Sequence, residues 1–330
     1  MKTSRLLLIV TIAFIWGAAL TWSVVIAQEP TPTPNPYILP TLPPLPDETP
    51  QGTVLDTAAV QPSPTPTVVL GDHYVMERPI YRDATNGRSD WVDRTYPYGG
   101  TQYGEREVHH GVEFANPRFT PVLAVADGRV VFAGEDDQTL LGPTFDFYGN
   151  VVILEHHRLL SPEGLPVYTL YGHLQEIGVE VGDIVHAGNP IGKVGDSGIA
   201  IGPHLHFEVR VGDPFDYSAT RNPDLWLKPW RGFGTLAGFV SDIEGNPVYG
   251  IVITVQSERV WRETYTYGDD SVNSDPAWGE NFTLGDLPAD DYDVFIRDED
   301  GQLLFRELVP VESGQTTFIE IQLPINTEEE

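Results

Sequence analysis

The chain has 330 residues, 41% of them apolar, with 29 prolines, 32 glycines, no cysteine and a formal net charge of −29, a length suited to two ordinary domains with long connections. Its 11% aromatic content is too high for a wholly disordered polyampholyte, and 19 Lys and Arg against 48 Asp and Glu would repel a phosphate backbone, which excludes nucleic acid as a partner. Without cysteine there is no disulfide, thiolate zinc finger or cysteine nucleophile, so any metal is left to His, Asp or Glu.

Lys2 and Arg5 precede an uncharged apolar stretch, residues 6–27, and Val25-Ile26-Ala27 places small residues at the −3 and −1 positions of a signal-peptidase site. Residues 1–27 therefore read as an export segment. It is either cleaved or, being long enough to span a bilayer, retained as a membrane anchor with its basic end inside. Residues 28–72 follow with 12 of the 29 prolines in a repeated Thr-Pro pattern. Proline fixes φ and removes donors, so this segment is expected to be an extended polyproline II spacer.

From 73 to 229 the pattern changes to short runs rich in Val, Ile, Leu and Tyr, such as PVLAVADGRVVFAG, YGNVVILEH and GPHLHFEVRV, separated by Asp-Gly, Gly-Asp and Gly-Asn turns. No window sustains a 3.6-residue apolar period, so this region is expected to be an all-β domain. Residues 233–325 show a second set of strands, read as a small β-sandwich, and 326–330 form an acidic tail. Between 233 and 330 lie 4 Arg, no Lys and 21 Asp or Glu, the composition of a solvated, non-catalytic module. The order TLAGFVSDIEGNPVYGIVITV followed by Gly-Asp-Leu-Pro-x-x-x-Tyr resembles the carboxypeptidase-regulatory-like and Cna-B-like immunoglobulin-type modules of secreted proteins. Nothing in it tells what the module binds.

The chemistry is carried by histidine. In GPHLHFEVRV, period-two alternation puts His204, His206, Glu208 and Arg210 on one face and Leu205, Phe207, Val209 and Val211 on the core face. The two imidazoles then project about 7 Å apart, close enough for one to bind a metal while the other meets a bound water or substrate. His109 and Glu113 flank Gly111. A straight strand would hold them about 13 Å apart, so the backbone must bend, and Gly111 is expected to permit this through a positive φ. With His206 the pair makes a two-histidine, one-carboxylate zinc site that leaves a fourth position for water. On a further run, Thr169, Tyr171 and His173 alternate onto one face. His173 and His204 are then available as general base and as proton donor or oxyanion stabiliser, in an order that the sequence leaves open. His110, His156, His157 and His186 are read as turn or surface residues, and His73 carries no assignment.

From His109 to about Pro214 the chain resembles the lysostaphin-type, or LytM-type, zinc metallopeptidase domain. The likeness is carried by His109-His110-Gly111-Val112-Glu113, by Gly128-Arg129-Val130, by Tyr171-Gly172-His173-Leu174 and by Gly195-Asp196-Ser197-Gly198 leading to Gly202-Pro203-His204-Leu205-His206-Phe207-Glu208. The resemblance implies an antiparallel β peptidase domain with His109, Glu113 and His206 as zinc ligands and His173 and His204 as catalytic groups. It further implies a zinc endopeptidase that cuts peptidoglycan peptides in stems or cross-bridges, outside the cytoplasm and associated with the wall. Glu113 stands where the family usually has aspartate, and an inactive regulator of another wall hydrolase is the alternative reading. The inserts EDDQTLLGPTFDF and RLLSPEGLP are expected to be loops walling the groove. Since every candidate site residue precedes Pro214, the C-terminal module is expected to be dispensable for cleaving soluble peptides.

Overall fold

The computed structural model describes residues 67–68 and 71–325. The export segment 1–27, nearly all of the 28–72 spacer and the acidic tail 326–330 lie outside the described residues. Among the described residues no helix is long and apolar enough to cross a membrane.

The fold is all-β, with three short 3-10 turns as its only helical elements among the described residues. Its first body is built on a large sheet in which His204–Val211 pairs antiparallel with Pro166–Gly172, with Val112–Ala115 and with Thr220–Arg221, while Asn150–Leu160 joins Pro166–Gly172 to Gly128–Glu135. A smaller three-stranded sheet, in the order Pro121–Leu123, Pro190–Val194, Leu174–Ile177, packs its Val122, Ile191, Leu174 and Val194 against one face of the large sheet. That face supplies Phe207, Tyr171, Leu205, Val152 and Leu154 to the main core, as alternation in each strand requires.

The other face is not a solvent face. All eight residues of His204–Val211 are buried, because the first insert folds back over the sheet and adds Leu141 and Tyr148 to a second small core with Val151, Ile153 and Leu170. Asp136 closes that loop: its carboxylate accepts from the backbone N–H groups of Tyr148 (2.9 Å) and Gly149 (2.8 Å). Beneath the loop the Arg210 guanidinium donates to Glu208 Oε2 (2.7 Å) and to the Leu141 carbonyl (2.8 Å), so that a fully buried ion pair is hydrogen-bonded on both sides.

The second body consists of a three-stranded sheet, in the order Phe282–Pro288, Phe233–Ser241, Thr316–Gln322, and a four-stranded one, in the order Trp261–Tyr265, Val252–Gln256, Asp290–Arg297, Leu303–Val311, around a core of Leu236, Val255, Phe282, Tyr292 and their neighbours. Phe233–Ser241 and Thr316–Gln322 run parallel. The main core of the first body continues into the second through Ala237, Tyr267 and Val272, with Trp278 and Phe318 packed against it. Polar contacts follow the same seam. His73 Nε2 donates to Asp275 Oδ2 (3.0 Å) in a fully buried pair, and Arg78 and Arg94 converge on Asp286, with Arg94 also paired to Asp224.

Candidate metal centre

Sheet register brings the first two site residues together. Glu113 lies directly across the ladder from His206, so both side chains leave the same face. His109 arrives from the loop preceding Val112–Ala115, its backbone N–H donating to the Gly100 carbonyl (3.0 Å). The bend at Gly111 is real, but its cause differs from the expected one: Gly111 has no positive φ. A Cβ there would come within 2.7 Å of both His206 Nε2 and the Phe207 carbonyl, so glycine is required for close approach.

His173 also reaches the site by a route that alternation does not foresee. Tyr171 pairs with Phe207 and belongs to the core face, and strict alternation would send His173 there too. Instead His173 takes a left-handed φ of +57° between Pro166–Gly172 and Leu174–Ile177, where the chain passes from the large sheet to the small one. A non-glycine residue in that region is strained, and such residues gather at functional sites. The ring is thereby turned to stand 4.8 Å from His204 and 5.7 Å from His206, centroid to centroid.

His109, His204 and His206 gather around the Glu113 carboxylate, with His173 beside His204 and His206, and the partner of each ring fixes its tautomer. His109 Nδ1 donates to the Tyr96 carbonyl (2.7 Å), His173 Nδ1 to the Ser197 carbonyl (2.8 Å) and His204 Nδ1 to the Gly202 carbonyl (2.9 Å), since a carbonyl can only accept. Each of these rings therefore presents a bare Nε2. In His206 the arrangement is reversed: Nε2 donates to Glu208 Oε1 (3.0 Å), leaving Nδ1 bare and 3.4 Å from His109 Nε2. Glu113 Oε1 sits 3.8 Å from His109 Nε2 and 3.6 Å from His204 Nε2. The ligand atoms of His109, Glu113 and His206 all lie within 4.8 Å of one another, whereas the buried Nε2 of His204 has no hydrogen-bond partner.

Burial, reinforced by the nearby His206, holds His109 well below the ordinary imidazole value, and burial with His206 and His204 lowers His173 to about 3. Both are neutral at pH 7, the state in which imidazole ligates a metal or accepts a proton. His109, His206 and Glu113 together offer two imidazoles and one carboxylate, a donor set of the kind that suits a catalytic zinc ion. The Glu208 carboxylate holds the His206 ring from outside, as an outer carboxylate would orient a metal-binding imidazole.

The centre lies in a groove of about 660 Å³. One part is apolar, with Pro143, Phe147, Ile199 and Ile201; another is polar, with Asp93, Glu105, Arg106 and Glu107. Of the two inserts expected to wall it, the first does so through Pro143 and Phe147, whereas the second is a hairpin turn that is absent from the lining. Two histidines read as turn or surface residues are buried. His110 stacks on Tyr217 (4.0 Å) at the edge of the groove, and His156 alternates onto the core face, donating to the Asp127 carbonyl (3.1 Å) and bonding Thr169 Oγ1 (2.8 Å). Only His157 and His186 are exposed as expected. Glu208 and Tyr96 add to the site beyond its sequence-derived residues: alternation puts Glu208 beside His206 without giving it a role, and the Tyr96 acceptor, being a backbone carbonyl, leaves no trace in side-chain identity.

Residues 107–217, which contain His109, Glu113, His173, His204, His206 and Glu208, match the model of Peptidase family M23. This segment is an M23 peptidase domain. It is 38% identical over 108 residues to the DD-carboxypeptidase/endopeptidase Mpg of Neisseria meningitidis serogroup B, an alignment covering 32% of this chain and 21% of that protein. Lysostaphin of Staphylococcus staphylolyticus is 32% identical over 169 residues (50% of this chain, 32% of that one), and the peptidoglycan DD-endopeptidase ShyB of Vibrio cholerae serotype O1 is 33% identical over 132 residues (40% and 26%). The chain thus spans between a fifth and a third of the length of these relatives, through its M23 domain.

Proposed function

We propose that this chain is a zinc-dependent endopeptidase that hydrolyses peptide bonds in peptidoglycan stems or cross-bridges, with His109, Glu113 and His206 as the metal ligands. The observation that carries this reading is the gathering of His109, His204 and His206 around the Glu113 carboxylate, with His173 beside them, in the lining of one groove. Relatives named as endopeptidases of peptidoglycan support the substrate class, and the export segment agrees with a substrate outside the cytoplasm. Bound zinc supplies a Lewis acid and an acidified water. His204 and His173 contribute the rest: their bare Nε2 atoms, held by donation from Nδ1 to backbone carbonyls, can take a proton from a nucleophilic water and return it to the leaving amine, or hydrogen-bond the developing oxyanion once protonated. The apolar part of the groove excludes water from one side of a bound peptide.

The test is mass spectrometry of purified peptidoglycan digested with the full chain, with and without a zinc chelator. New amino termini should appear, vanish on chelation and return on adding zinc. His206→Ala should lose both metal and activity, whereas His204→Ala and His173→Ala should keep zinc and lose about 10²- to 10⁴-fold in turnover. A zinc-loaded wild-type chain that releases no peptide fragment would refute the reading.

A further inference from the structure

One wall of the groove is the segment 93–109, which leads directly into His109, and the C-terminal body holds it from behind. Gly99, with φ +73°, lies so close to Tyr267 that a Cβ on it would overlap the ring. The Gly99 carbonyl accepts from the Gly268 N–H (2.7 Å); the Gly99 N–H donates to the His109 carbonyl (2.7 Å), and the His109 N–H donates to the Gly100 carbonyl (3.0 Å). Two hydrogen bonds therefore connect the backbone of the C-terminal body to that of His109. Gly268 also faces the wall segment through Thr101 and Val108: a Cβ on it would meet their methyl groups at 2.5 and 3.0 Å.

Tyr267 is itself immobilised. Its ring, 2% exposed, meets Tyr98 edge-on at 5.4 Å. Its hydroxyl donates to Glu280 Oε1 (2.7 Å) and accepts from Asn222 Nδ2 (3.3 Å). Tyr98 in turn ties the start of the wall to the C-terminal body, its hydroxyl donating to the Asn273 carbonyl (3.2 Å) and accepting from the Asn273 N–H (3.1 Å). Further along the wall, the exposed Tyr103 packs edge-on against Tyr265 at 5.0 Å and donates to Glu263 Oε2 (3.4 Å). A module that served only to attach the enzyme to its substrate would need none of these contacts.

We propose that Tyr267 and Gly268 are positioning residues for the metal centre, and that the C-terminal body completes the peptidase site by fixing the backbone of His109 and the groove wall before it. This rests on His109 being a metal ligand. The physical reason is that 93–109 carries no regular secondary structure of its own, and a ligand on an unsupported loop spends binding free energy on ordering itself, which a rigid neighbour avoids.

Zinc affinity of the full chain, measured by competition with a chromophoric chelator, tests the proposal without requiring any cleavage assay. Tyr267→Leu removes the ring behind Gly99, whereas Tyr267→Phe keeps it and removes only the hydroxyl. We expect Tyr267→Leu to weaken zinc binding about tenfold or more and Tyr267→Phe to stay within about threefold. Gly268→Ala should also weaken it several-fold by pressing on Thr101 and Val108, and Thr101→Ser in the same chain should restore most of it, because the nearer of the two methyl groups is gone. Should Tyr267→Leu fail to fold, the Gly268→Ala and Thr101→Ser pair decides. Zinc affinity unchanged in folded Tyr267→Leu or in Gly268→Ala, or lost equally in Tyr267→Phe, would overturn the positioning role alone. A wild-type chain that binds no zinc would instead overturn the reading of the site on which it rests.

Discussion

Glu113 occupies the position where the resemblance leads one to expect aspartate, and the structure shows how the longer side chain is accommodated. Its backbone lies directly across from His206, and its carboxylate extends to within 3.8 Å of His109 Nε2 and 3.6 Å of His204 Nε2. The Glu113→Asp substitution would withdraw the carboxylate by about 1 Å, against a metal–oxygen distance of about 2.0–2.2 Å that tolerates little error. We therefore expect Glu113→Asp to weaken zinc binding about tenfold and to lower turnover with it, as measured by metal competition and by peptide release. An aspartate variant more active than wild type would show that the glutamate is misplaced and would favour the regulator reading.

At the scale of the element, the site depends on one strand pairing and one close approach. Residues His204–Val211 hold His204 and His206 only because the covering insert and the Glu208–Arg210 pair fill the rest of that face. Gly111 must approach that strand without a side chain. Gly111→Ala would press a Cβ against a backbone carbonyl and a ring at 2.7 Å, and since the carbonyl belongs to the sheet it cannot simply rotate away. Overpacking of this kind costs about 1–3 kcal/mol. The expected outcome is a lower denaturant midpoint in urea together with loss of zinc, whereas a variant with unchanged midpoint and unchanged metal affinity would show that the strand can move aside. The same strand illustrates what was legible. Period-two alternation correctly separates its core residues from its histidines, but it cannot tell whether the second face meets solvent or another segment.

Across the whole molecule, the seam between the two bodies buries charge as well as apolar surface. Glu280, fully buried there, has its carboxyl pushed up to about 8, by burial first, with the Tyr267 hydroxyl opposing and Asp275 adding to the rise. Asp275 is in turn paired with His73. Because the folded state holds this proton more tightly than the unfolded chain, its contribution to stability is fully present below about pH 4.5 and is lost as pH rises through about 8. Glu280→Gln, which carries no ionisable proton, should therefore melt higher than wild type at pH 8.5, with the advantage shrinking toward pH 5 in thermal denaturation. An equal difference at both values would mean that Glu280 is already ionised in the folded protein. The continuity of the main core into Tyr267 and Val272 also bears on the expectation that residues 233–330 are dispensable: their removal would expose the apolar residues they cover, so the truncated chain should lose stability before any question of activity arises.

The sequence by itself pointed to the all-β class, to the likeness of its 107–217 segment to M23 peptidases and to the five side chains that the fold gathers at the candidate metal centre, because strand periodicity, turn dipeptides and motif spacing are local properties of the chain. It also placed His204, His206 and Glu208 on one face, since alternation follows from strand geometry alone. Only the tertiary structure decided that His173 enters the site through a left-handed backbone, that Gly111 is present for close approach, and that His110 and His156 are buried. The same holds for the C-terminal body lying against the wall that leads to His109. Each of these depends on which distant segments come into contact, and such contacts are set by packing across the whole chain, which no local pattern of residues encodes.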